Sequence, residues 1–110
     1  MLPKSQRLLT DRQFQKVFRH SRPRRGAFLT ARSIVNDRPT HRFGFVVGGI
    51  VSKKAVVRNL IKRRLRAIAR QMPSPPPAYD LVLIAQRSAT QASFQQLTKE
   101  FHQLWPRQTA

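Results

Sequence analysis

The 110-residue sequence contains no cysteine, which excludes both disulfide staples and thiolate metal ligands. Its three histidines, His20, His41 and His102, are too scattered for metal-ligand spacing and are expected to be ordinary surface residues. Acidic residues are almost as scarce: Asp11, Asp37, Asp80 and Glu100 are the only four, and none falls between positions 37 and 80. A protein nuclease working alone needs carboxylates gathered around metal ions, or a histidine-centred acid–base pair. Four dispersed acids supply neither, so no catalytic residue, metal site or bound cofactor is expected in the chain itself. No apolar run approaches the roughly 18–20 residues of a membrane span, and Met1-Leu2-Pro3-Lys4 is no signal-peptide apolar region. The expected location is the cytoplasm, away from membranes. Helix-turn-helix and zinc patterns are missing as well, and DNA is not the expected partner.

Against this stands an abundance of cations. Lys and Arg number 22, for a formal charge of +18. Self-repulsion on that scale opposes compaction unless a polyanion neutralises it. Arginine outnumbers lysine, and a planar guanidinium both grips phosphate and stacks on bases, which favours nucleic acid over lipid headgroups. The length suits one domain over 1–110, expected to bind nucleic acid.

Apolar periodicity organises the chain. Thr10 or Asp11 can cap a first helix that carries Phe14, Val17 and Phe18 at helical spacing and stops near Ser21. Arg22-Pro23-Arg24-Arg25-Gly26 reads as a basic loop whose Arg24 and Arg25 could touch phosphate. Residues 27–35 and 42–47 read as strands, separated by a turn at Asn36-Asp37-Arg38-Pro39. After Gly48 and Gly49 a basic helix is predicted over 54–71, with Val57, Ile61, Leu65, Ile68 and Met72 as its core-facing stripe. Pro73-Ser74-Pro75-Pro76-Pro77 suits a stiff connector, and residues 79–86 suit a buried strand. Ser93 and Gln96 form a capping box for a last helix with Phe94, Leu97, Phe101 and Leu104 along one face and Trp105 as anchor. The predicted class is α+β: a two-layer α-β sandwich in the order α-β-β-(β)-α-β-α, with a helical crossover between parallel strands.

The basic helix is the most informative segment. Arg58, Asn59, Lys62, Arg63, Arg66 and Arg70 fall within roughly 140° of its circumference, away from the apolar stripe. A solvated face would interleave acids for i,i+4 pairing, and none is present. The face therefore reads as a polyanion-binding surface. Charge alone leaves a ribosomal or other structural RNA-binding protein equally open.

The run Ala55-Val56-Val57-Arg58-Asn59-Leu60-Ile61-Lys62-Arg63-Arg64-Leu65-Arg66 resembles the Arg-Asn-Arg signature helix of the protein component of bacterial ribonuclease P. Leu2-Pro3-Lys4 with Arg7-Leu8, Phe14-Gln15-Lys16-Val17-Phe18, Arg42-Phe43-Gly44-Phe45-Val46-Val47 and Asp80-Leu81-Val82-Leu83-Ile84-Ala85 are similar to that family's other blocks, in order, over nearly the whole chain. Two departures stand out: Leu60 replaces the usual third signature Arg, and Gly48-Gly49-Ile50 replaces a common Ser-Lys-Lys, although a second Ser52-Lys53-Lys54 just before the helix could supply part of that charge, with Lys53 and Lys54 as additional phosphate contacts.

The resemblance implies a subunit of a ribonucleoprotein endoribonuclease that removes the 5′ leader of precursor tRNA. The RNA subunit performs the hydrolysis with magnesium, while the protein binds that RNA through Arg58, Asn59, Lys62, Arg63, Arg66 and Arg70. It further implies a leader-binding cleft between the first helix and the sheet, with Phe14, Phe18, Ala31 and Val46 on its walls.

Overall fold

The computed structural model describes residues 3–8, 10–72 and 77–106. Three α-helices and four strands follow in the order α1 (Asp11–His20), β1 (Arg24–Arg25), β2 (Leu29–Asn36), β3 (Arg42–Val46), α2 (Ala55–Arg70), β4 (Ala78–Ala85) and α3 (Phe94–Gln103). The expected elements are all present within a few residues of their predicted bounds, and the basic loop gains a short strand, β1. Of the proline-rich connector only Pro77 lies inside the described residues.

The sheet runs β1-β2-β4-β3, with β1/β2 and β2/β4 antiparallel and β3/β4 parallel. Parallel β3 and β4 require a crossover, and α2 provides it. Capping boxes start both short helices. Thr10 and Gln13 exchange side-chain and backbone hydrogen bonds at 3.2 Å each, and Ser93 and Gln96 do the same at 3.1 and 2.9 Å.

Strand alternation divides the apolar residues between two faces. On one, Leu29, Ala31, Phe43, Leu81 and Leu83 pack beneath Ile61, Leu65 and Ile68 of α2 and Leu97 and Phe101 of α3, forming the main core and the two layers of the sandwich. Val57 and Met72 complete the α2 stripe at the margin of that core. On the other face Val82, with Ile34 and Ile84, meets Leu8 and the Val17 and Phe14 side chains, so α1 lies across part of the second face. Trp105 anchors the chain beyond α3 as expected, its ring 6.1 Å from both Phe43 and Phe101.

Two corrections concern this core. His41 is not a surface residue: it is buried, its Nδ1 accepts a hydrogen bond from the Tyr79 amide at 2.9 Å, and its ring lies against Tyr79 and Trp105. An imidazole whose polar atom has an internal partner can be buried at small cost, and no periodicity announces this. Phe94 does not join Leu97 and Phe101 on the buried face but stands exposed at the first turn of α3.

Candidate nucleic-acid interface

All six polar positions predicted on α2 lie on its outer side, but they divide into two sets. Asn59, Arg63 and Arg70 are exposed, whereas Arg58, Lys62 and Arg66 are half-buried along the flank nearest β3. Arg58 is partly committed internally, since its Nη1 donates to the Ser52 carbonyl at 2.8 Å. Arg63, Arg66 and Arg70 surround Ala67 in a shallow concavity of about 400 Å³. No acid lies in the first turn of α2 and no side chain caps it. The positive end of its dipole, with exposed Lys53 and Lys54 just ahead, therefore adds to the field that attracts anions.

Lys62 and Arg66 also reach a second feature, a groove of about 260 Å³ at the β3 edge of the sheet. Its other walls are Arg7 and Leu8, Phe14 of α1, and Phe43, Gly44 and Phe45 of β3. The N-terminal segment is held there by a parallel bridge between Arg7 and Phe43, with the Leu8 amide donating to the Phe43 carbonyl at 3.0 Å. Gly44 leaves room for the Phe14 ring, because a β-carbon at position 44 would stand 2.5 Å from Phe14 Cε1. The Arg7 Nε is buried without a hydrogen-bond partner. One groove thus joins aromatic surface from α1 and β3 to cations from α2.

Phe18 continues this surface along α1, more than a third exposed. Arg32 lies 5.2 Å from its ring centroid, and Arg32 Nη1 donates to the carbonyls of Phe18 and Ser21 at 3.2 and 3.1 Å, closing the end of α1. Val46 shares the α1 side of the sheet with Gly44 by strand parity and is exposed. Ala31 does not. Its side chain is fully buried in the core beneath α2 and α3, on the opposite face from α1, so it forms no part of a cleft wall. The β2 residues that do point to the α1 side are Thr30, Arg32 and Ile34, as the alternation from Ala31 dictates.

Arg24 and Arg25 also separate. Pairing with Thr30 leaves Arg25 exposed, whereas Arg24, opposite Ala31, is half-buried with Nε and Nη2 unpartnered. Burial pushes its guanidinium pKa down, against a smaller upward pull from Tyr79. The sequence alone does not place Arg7, Gly44 or Arg32 at this site. Only strand parity could have signalled Arg32.

Two of the four acids are consumed inside the fold. Asp80 is buried and takes Arg42 Nε at 2.8 Å and Nη2 at 2.6 Å, with Asn36 Nδ2 at 2.8 Å. The hydrogen bond to Asp80 pushes the Arg42 pKa up, against desolvation. Glu100 is buried and accepts from three consecutive backbone amides. Only Asp11 and Asp37 remain exposed, so the surface is more nearly purely cationic than the composition suggests. Among the described residues no group of three or more His, Cys, Asp or Glu could hold a metal ion, and no helix is long and apolar enough to cross a membrane.

Comparison with known proteins gives a consistent result. Residues 2–109 match the family model described as ribonuclease P. The ribonuclease P protein component of Cyanothece sp. is 36% identical, covering 94% of this chain and 92% of that one. Its counterpart in Syntrophomonas wolfei is 34% identical, over 92% and 85%. Among solved structures, the RNase P protein of Staphylococcus aureus is similar with a TM-score of 0.82 at 22% identity, covering 92% of this chain and 93% of that one. That of Thermotoga maritima reaches 0.76 at 24%, over 89% and 93%.

Proposed function

The chain belongs to the ribonuclease P protein family, as a subunit of a tRNA-processing ribonucleoprotein endoribonuclease, and from that premise we propose how its surface is divided between two RNAs. The outer face of α2, through Asn59, Arg63, Arg66 and Arg70, grips phosphates of the ribonuclease P RNA, with Arg58, Lys62, Lys53 and Lys54 alongside. The groove at the β3 edge, with Phe14, Phe18 and Val46, takes the single-stranded 5′ leader of precursor tRNA. Arg25 lies on the periphery as a further phosphate contact, and Arg24, half-withdrawn, contributes less.

The observation that carries this reading is the shared ownership of Lys62 and Arg66. They lie on the cationic helix and also line the aromatic groove. A strand leaving the catalytic RNA could enter that groove without crossing uncharged surface. Unpaired bases, such as those of a single-stranded leader, offer faces to phenylalanine, whereas the paired regions of a folded RNA offer mainly phosphate to arginine. The hydrolysis belongs to the RNA subunit and its magnesium ions. The protein's part is electrostatic: it offsets phosphate repulsion and so lowers the magnesium needed for assembly.

Reconstitution with the cognate catalytic RNA tests this. Purified protein alone should leave precursor tRNA intact, and its addition should raise RNA-dependent cleavage most at limiting magnesium. Cleavage by RNA-free protein, or stimulation that is equal at all magnesium concentrations, would overturn it.

A further inference from the structure

Four large apolar side chains interrupt the cationic surface around the first half of α2: Ile50, Val56, Leu60 and Phe94. Val56 is 79% exposed and Ile50 76%, far more than packing residues allow, and Phe94 keeps 43% of its surface. Val56 and Leu60 are four apart and hence neighbours on the helix surface. One arginine ties the segment of Phe94 to α2, and a second joins the segment of Ile50 to that of Arg87. Arg64 Nη1 donates to the Ala92 carbonyl at 3.1 Å, two residues before Phe94, and Arg87 Nε donates to the Ile50 carbonyl at 3.3 Å.

An exposed apolar cluster of this kind marks a contact surface, and its surroundings decide which contact. Arg63 and Arg64 flank the Val56–Leu60 line within roughly 80° of helix circumference on either side. Lys53, Lys54 and Arg87 stand on the adjoining segments and are exposed. The only exposed acids of the described chain, Asp11 and Asp37, belong to α1 and the β2–β3 turn. A second copy would bring its own formal charge of +18 against this surface. The occupant must be anionic overall and yet present a flat apolar face, which is the chemistry of a nucleic-acid strand with unpaired bases.

We infer that Val56, Leu60 and Phe94, with Ile50 at the margin, form a platform for unpaired bases of the RNA subunit, beside the phosphate-gripping face and separate from the leader groove. The inference rests on the reading of α2 as the RNA-facing helix. It gives Leu60 and Ile50 a role: where basic residues would make salt-sensitive contacts, this chain offers apolar contact that salt does not screen.

The test is binding of the full-length protein to its cognate ribonuclease P RNA over a range of salt concentrations, with folding checked by circular dichroism. Phe94→Ser should weaken binding on the order of tenfold, as loss of one base–aromatic stack would, and Val56→Ser/Leu60→Ser, which removes aliphatic contact area and no stack, should weaken it several-fold, in both cases with the slope of log affinity against log salt unchanged. Leu60→Arg should steepen that slope by about one, and Arg63→Ala should flatten it by about one. A photoreactive benzophenone amino acid at position 56 of the assembled holoenzyme should cross-link to unpaired nucleotides. Parent-like affinity in both apolar variants, or cross-links to a second copy or another protein instead of RNA, would overturn the platform. If Arg63→Ala also left the slope unchanged, the underlying assignment of α2 would fail with it; a flattened slope there would confine the failure to the platform.

Discussion

Gly26 lies so close beneath Glu100 that a β-carbon at position 26 would stand 2.4 Å from the Glu100 carboxyl carbon. The closeness follows from what the carboxylate does. From α3 it accepts hydrogen bonds from the amides of Ala27, Phe28 and Leu29 at 2.6, 2.8 and 2.6 Å, fixing the β1–β2 turn to the helix. Glu100→Gln replaces one acceptor oxygen by an amide group that can only donate, leaving buried N–H groups unsatisfied. The expected cost is on the order of 3 kcal/mol. Gly26→Ala should destabilise in the same direction by displacing the carboxylate. Urea denaturation measures both, and a midpoint equal to the parent's in either variant would refute the clamp.

A second glycine controls the groove. Gly44→Ala would drive a methyl group against the Phe14 ring, and Phe14 is half-buried at the groove's wall. The ring can move outward, so the main expected loss is of binding surface: weaker holoenzyme affinity for precursor tRNA carrying a leader, with RNA-subunit binding preserved. Phe14→Leu in the Gly44→Ala background should relieve the crowding without restoring leader affinity, because the aromatic face is lost with the ring. Unchanged leader affinity in Gly44→Ala would show that Phe14 does not need its present position.

Most of the fold was legible because its signals are periodic. The stripe from Val57 to Met72 announced α2, the box of Ser93 and Gln96 announced α3, and the α2 cations were found because a helix face is computable from spacing. What failed depended on long-range packing. The resemblance puts Ala31 on a cleft wall, whereas strand parity puts it with Leu29 on the core face, and the structure follows parity. Nothing in the sequence marks His41 as buried, because only the fold brings the Tyr79 amide to it as a partner. Arg7 and Gly44 could not be placed in the groove before the pairing of residue 7 with residue 43 was known. The competing ribosomal reading rested on charge alone, and the family match removes it.

Arg58 and Lys62, neighbours on one helix face, should respond differently to truncation. Both variants should lose affinity for the catalytic RNA. Arg58→Ala additionally removes the hydrogen bond to the Ser52 carbonyl, which holds the segment entering α2. It should therefore cost about 0.5–1.5 kcal/mol of stability, whereas Lys62→Ala should unfold close to the parent's midpoint. Thermal denaturation beside RNA titration separates the two effects. Equal stability of the two variants would mean that the Ser52 contact contributes nothing measurable.

Phe18 provides the sharpest test of the leader groove, because its ring is exposed while its neighbour Arg32 is tied by its own hydrogen bonds to the end of α1. Replacing Phe18 with Ala removes aromatic surface without removing a cation, and Arg32 keeps its backbone partners. Holoenzyme affinity for precursor tRNA with a multi-nucleotide leader should fall by an amount on the order of 1–3 kcal/mol if one stacked base is lost. Affinity for mature tRNA should hardly change. The salt dependence of leader binding should persist, since the number of phosphate contacts is unaltered. Comparison of long-leader with leaderless substrates decides the matter once circular dichroism has confirmed the fold. Equal losses for both substrates would mean that Phe18 serves general assembly, and the groove would then have to hold the leader through Phe14 and the α2 cations without it.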